Sequence, residues 1–187
     1  MSTELRTQII AEGVGPAYHR IYSVPFTSTT KKVKEGMKCL QSNLNSYSPH
    51  LLATFEKTKG DPAVLQKDDE FLIHITGPWN GPVRVTKVTV FSFQIVTLKG
   101  HLEAGDIHFE IKQKSDTDFV FEIESLARSK DMLVNFIYDV VPIAKMMQTE
   151  MWKSFCQNFV NEISDSVGEI QVQTQRRGEE TGEWQTI

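Results

Sequence analysis

The chain is short of cysteine, short of basic charge and without a long apolar run. Its 187 residues hold two cysteines, Cys39 and Cys156, which are far apart and form no CxxC. Two reduced thiols in a cytosolic protein is the reading, with no support for a disulfide. Both cysteines fall on predicted helices among apolar neighbours, so buried, inert thiols are expected. The net charge is −4 and the pI about 5.7. A nucleic-acid binder would normally carry a basic face, so nucleic acid is not an expected partner. No stretch approaches the roughly 18 apolar residues of a membrane span. The opening MSTELRTQII is too polar for a signal peptide, and a cytoplasmic location is expected. No GxGxxG pattern, no nucleophile with a recognisable base and no third ligand for a histidine pair stand out. Neither a cofactor nor a metal is therefore expected.

What is present is an ordinary globular composition, 40% hydrophobic and 24% charged, long enough for one domain with a sizeable core. YHRIYSVPF (18–26) reads as a first strand that ends near Pro25. A helix follows, capped by Thr29 or Thr30, with Val33, Met37 and Leu40 at helical spacing and Gly36 weakening it by about 1 kcal/mol. SPHLLATFEK (48–57) is read as a short helix with Pro49 at its first position. From residue 70 the period is two. Phe71, Ile73 and Ile75 share a face, then Val83 and Val85. The phase shifts to Val88 and Val90, which implies a bulge near Lys87. Phe93 and Ile95, then Ile107, Phe109 and Ile111, then Phe119, Phe121 and Ile123 complete an antiparallel meander of about five strands. From Val140, the residues Ala144, Met147, Met151, Phe155, Phe159 and Ile163 mark a long helix. The domain is taken as residues 1–165. Residues 166–187 are a polar tail in which EIQVQTQ adds at most one strand.

The fold class is therefore α+β. It is either a curved antiparallel sheet wrapped around the C-terminal helix, the helix-grip arrangement, or a two-layer sandwich without a cavity.

The stretch TLKGHLEAGDIHFEI (97–111) resembles the signature T-L-P-G-H-P-x-x-G-E-x-x-F of an uncharacterised family found in bacteria and plants (uncharacterised protein family 0548). Thr97, Leu98, Gly100, His101, Gly105 and Phe109 match it. GPWNGPVRVTKV upstream and VVPIAKMMQTEMWKSF downstream resemble the family's weaker blocks, with Pro142 and Gln148 near the expected places. Lys99 and Leu102 replace prolines and Asp106 a glutamate, so this loop is expected to be less rigid. By layout the resemblance implies a START-like helix-grip fold, akin to the birch-pollen-allergen-like proteins. Members of that superfamily bind lipids, steroids, polyketides or hormones, and a minority are enzymes. The implied reading is a module that holds an apolar or amphipathic molecule between sheet and helix. An enzyme on the same scaffold and a pocketless protein-interaction domain, for which a homodimer is one form, are the alternatives.

His101 is the candidate catalytic residue. It is either a general acid or base at a cavity mouth, or an imidazole that fixes the turn through loop backbone. Trp79, at a hairpin tip, either lines a cavity entrance or rests on a neighbouring loop. Phe93, Phe109 and Phe121 from the sheet, with Met147, Met151 and Phe155 from the helix, either line an adaptable apolar pocket or fill a core. His74 and His108 are expected to face solvent. Glu110, Glu122 and Glu124 are expected to form a solvated face balanced by Lys112 and Lys114.

Overall fold

A computed structural model describes residues 5–75, 80–130, 142–178 and 182–187, with side chains of the last helix described from residue 148. Strand β1 (Val14–Thr27) buries Tyr22, Val24 and Phe26 on alternate positions. Helix α1 (Thr30–Ser42) starts where the Thr29 hydroxyl accepts the Lys32 amide at 3.3 Å, and it buries Val33, Gly36, Met37 and Leu40. Such a cap satisfies a backbone donor that the first helical turn leaves without a partner. Then come β2 (Ala53–Lys59), β3 (Glu70–Ile75), β4 (Asn80–Val88), β5 (Ser92–Thr97), β6 (Glu103–Gln113) and β7 (Asp118–Ser129). Helix α2 (Pro142–Ile163) is followed by β8 (Ser166–Val167), β9 (Gln171–Arg177) and β10 (Trp184–Thr186).

Nine strands lie in one antiparallel sheet in the order β10-β9-β1-β7-β6-β5-β4-β3-β2, and β8 pairs beside β1. Consecutive strands from β2 to β7 are neighbours, the expected meander with one strand more. The register shifts between Val85 and Lys87, where the phase of the valines changes. A bulge of this kind bends its strand and lets the sheet curl around a helix.

Helix α2 lies across the inner face. Phe109 meets Trp152 and Phe155 at ring distances of 5.6 and 5.8 Å, and Phe121 meets Phe159 at 4.6 Å. Phe93 stacks on Phe109 at 4.3 Å. At the far end of α2, Ile163 packs onto α1 at Gly36, where an added Cβ would stand 2.3 Å from Ile163 Cγ2. The curved sheet gripping a long C-terminal helix is the helix-grip arrangement.

Three local expectations are corrected. Residues 53–57, read from sequence as the end of a short helix, lie in β2 (Ala53–Lys59). Phe55 pairs with Ile73 there, because a ladder partner outweighs weak local helix propensity. Residues 166–187 hold three strands rather than at most one: β9 pairs with β1 from Ala17 to Ser23, and β10 pairs with β9. Of the two cysteines, Cys156 is buried but Cys39 is exposed, since it lies off the Val33–Met37–Leu40 face of α1. Neither is in a disulfide.

Candidate functional site

The inner face of the sheet is divided into two halves. Strand register places Val24 beside Phe121 and Tyr22 beside Ile123, with Phe109 and Ile111 on the next strand. This half is filled by large apolar side chains. Further along the same strands the inward parity carries Tyr18, Arg20, Ser125, Ala127 and Ser129, then Gly105 and Glu103. Apart from Ile107, which lies opposite Ser125, the inward side chains here are small or polar. Gly105 is required by close approach, because a Cβ there would stand 2.1 Å from the Leu126 carbonyl oxygen.

Four polar groups converge in this second half. Arg20 is 6% exposed, and its guanidinium lies 4.8 Å from the centre of the Tyr18 ring. Among the described residues no carboxylate pairs with it. Tyr22 is 0% exposed, and its hydroxyl has no hydrogen-bond partner among the described residues. Burial pushes the Tyr22 phenol above its ordinary range; the neighbouring Thr149 side chain and Arg20 oppose that in part, and Glu103 adds to it. Thr149 is close enough to act on the phenol without completing a hydrogen bond in good geometry. From α2, Gln148 donates to the Glu103 carboxylate at 3.2 Å, while its own carbonyl oxygen is buried and has no partner among the described residues. Buried polar groups in folded proteins are nearly all paired, so two orphans and an unpaired guanidinium in one place mark it out.

His101 stands at the edge of this half and is 8% exposed. The turn from β5 to β6 needs Gly100, whose φ is +110°. His101 Nδ1 lies 2.9 Å from the Glu103 amide and 3.1 Å from the Glu103 carbonyl oxygen, so either tautomer ties the ring to its own loop backbone. Nε2 is turned onto Gly81, where a Cβ would stand 2.6 Å away. Gln8 straps the loop from outside, donating to the carbonyls of His101 at 3.2 Å and Glu103 at 2.8 Å. Burial lowers the His101 pKa; Glu103 opposes this and Lys130 adds to it. A buried imidazole tied to its own loop backbone, with burial disfavouring its charged form, is the geometry of the turn-fixing reading. Gly105 belongs to β6 rather than to the turn.

Of the other sequence candidates, Phe93, Phe109, Phe121 and Phe155 are fully buried in one apolar cluster, and Met151 and Trp152 are buried in the same cluster. Trp79 and the side chain of Met147 lie outside the described residues. His74 is bound to Glu56 at 2.7 Å on the surface. Lys112 pairs with Glu122 and Glu110, the solvated arrangement expected of that face. No cluster of metal-ligating side chains occurs among the described residues.

A pocket of about 320 Å³ lies elsewhere, between the end of α1 and strands β2 and β3, lined by Gln41, Asn45, Phe55, Lys57 and Phe71 among others. Its polar groups are already engaged. Lys57 pairs with Asp69 at 2.6 Å, Asn45 bonds the Phe55 backbone at 2.6 Å, and Gln41 donates to Thr89 at 2.8 Å.

Sequence reading overlooked Arg20, Tyr22 and Glu103. The signal was alternation: Arg20 falls on the parity of Tyr22, Val24 and Phe26, and Glu103 on that of Ile107, Phe109 and Ile111. A charge on an apolar parity points inward.

Comparison with known proteins agrees with this architecture. The profile of a domain of unknown function, DUF1990, matches residues 30–158. No curated protein matches the chain in sequence. Among solved structures, norcoclaurine synthase of Thalictrum flavum with dopamine and hydroxybenzaldehyde superposes with a TM-score of 0.52 at 9% identity, over 84% of this chain and 93% of that one. A truncated form of the same synthase gives 0.51 at 9% identity, over 77% and 94%. At such identity the likeness is one of fold.

Proposed function

The chain belongs to the DUF1990 family, a domain of unknown function, and from that premise and the helix-grip fold we propose a binding module. It holds a small amphipathic molecule between the sheet and α2, in the half of the grip lined by Arg20, Tyr22, Glu103, Ser125 and Gln148. The observation that carries this reading is the division of the inner face. Stacked aromatics fill one half, whereas the other carries small side chains and buried polar groups without partners. A folded chain avoids such orphans unless something else satisfies them. Met151 and Trp152 give the molecule an apolar wall, and the polar groups fix its orientation. The solved relative with dopamine and hydroxybenzaldehyde shares the scaffold and offers one example of small molecules associated with it.

His101 enters this reading as the residue that fixes the β5–β6 turn beside the site, with no role in proton transfer. Native mass spectrometry of the protein purified from its own host tests the proposal. A co-purifying small molecule is the expected result. Absence of any adduct, together with unchanged Trp152 emission across a library of amphiphiles, would remove it.

A further inference from the structure

We propose that Arg20 is the anchor for a carboxylate on that ligand, so that the class bound is an amphipathic carboxylic acid. This rests on the reading above and adds the chemistry of the ligand's head. Arg20 is 94% buried, taking its exposure of 6% from the whole, and it points to the inner face between Tyr18 and Tyr22 in a regular stretch of β1–β7 pairing. The Tyr18 ring supports one face of the guanidinium at 4.8 Å. Stacking of that kind leaves the N–H edge of the planar group free to hydrogen-bond. Glu103 is an acid on the same inner face, but it is held by Gln148 and makes no ion pair with Arg20. A guanidinium largely withdrawn from water, with no counter-charge among the described residues, is costly, and its five donors form a fork that fits two carboxylate oxygens at once. Directly across the strand pair lies Ser125, buried and small, and one step along lies the unpartnered Tyr22 hydroxyl. Together they give a carboxylate a bidentate donor and a hydroxyl donor beside it. The apolar remainder of the ligand then runs toward Met151 and Trp152.

The test is isothermal titration of the full chain with octanoate, dodecanoate and hexadecanoate, each against its matched alcohol. Acids are expected to bind about ten- to hundred-fold more tightly than alcohols, the range for hydrogen bonds to a charged group. Arg20→Met is expected to abolish the preference for acids over their matched alcohols, with Arg20→Lys intermediate. Without ligand, Arg20→Met is expected to melt at the same temperature or higher, because it removes an unpaired buried charge. Equal binding of acid and alcohol by the natural chain would overturn the assignment, as would an acid preference that survives Arg20→Met. So would a sharp loss of stability or failure to fold in Arg20→Met, which would make Arg20 a structural partner. If alcohols bind and acids do not, this inference falls and the binding module stands. If neither series binds, both fall.

Discussion

Gly36 is the kind of residue that helix propensity alone marks for improvement, since alanine is favoured over glycine by about 1 kcal/mol in a helix. Its surroundings reverse that sign. An added methyl group would meet Ile163 Cγ2 at 2.3 Å, so Gly36→Ala is expected to lose about 1–3 kcal/mol as an overpacked core does. Urea midpoints check this, measured against Ile163→Ala, which removes the clashing Cγ2: in the double variant Gly36→Ala should cost less than it does alone. A gain in the single variant would show that α1 and α2 separate freely. His101 gives a pH dependence of definite sign. Its folded pKa lies below the ordinary value of 6.5 because burial disfavours the imidazolium. The unfolded chain therefore binds the proton more readily. The contribution to stability is whole above about pH 6.5 and is lost as pH falls below that, down through the depressed folded value. Unfolding by urea at about pH 7.5 and about pH 5, for the natural chain and His101→Gln, should show a smaller acid sensitivity in the variant. The cysteines divide in the same manner. Cys39 is expected to react with a thiol reagent in the folded protein, whereas Cys156, buried and with its thiol pushed up by burial, is expected to react only after unfolding. Equal labelling of both in the native state would contradict the placement of α2.

The strands from β3 to β7 and helix α2 were legible in the sequence because their periods, two and about three and a half, are long and unbroken. Strand β2 was not, since Leu51, Leu52 and Phe55 also suit a helical face and only pairing with β3 decides between the two. The polar half of the grip was hidden for a similar reason. Alternation shows that Arg20 and Glu103 share a parity with apolar neighbours, but only the β1–β7–β6 register brings them over one helix. His101 was conspicuous in the sequence because turns advertise themselves through glycine, whereas an inward strand charge is a single letter among aromatics. Strand β9 carries a prediction at this scale. It covers the edge of β1 from Ala17 to Ser23. A chain ending after Gly168 would present that edge to solvent, and unprotected edges invite pairing between molecules. Faster amide exchange along β1 and concentration-dependent association are expected. Unchanged exchange would mean that β7 alone secures β1.

Across the molecule, the packed aromatics and the polar groups of the proposed site occupy opposite ends of one layer. Phe93, Phe109, Phe121, Phe155 and Phe159 form a continuous buried cluster, and Phe109→Ala is expected to cost about 3–5 kcal/mol of unfolding free energy by leaving a cavity that its neighbours cannot close. That loss would appear in the urea midpoint with or without ligand. Substitutions at Ser125 or Gln148 should instead alter ligand affinity with little change in the midpoint. The central pairing of β1 with β7 has a consequence in time. Tyr22 lies opposite Ile123, so roughly 100 residues must leave the ribosome before β1 meets its partner, a delay of about 5–20 s at ordinary rates of synthesis. Through that interval an aromatic strand waits exposed in the growing chain, and its slow, long-range closure makes β1 the segment where a chaperone would be needed most.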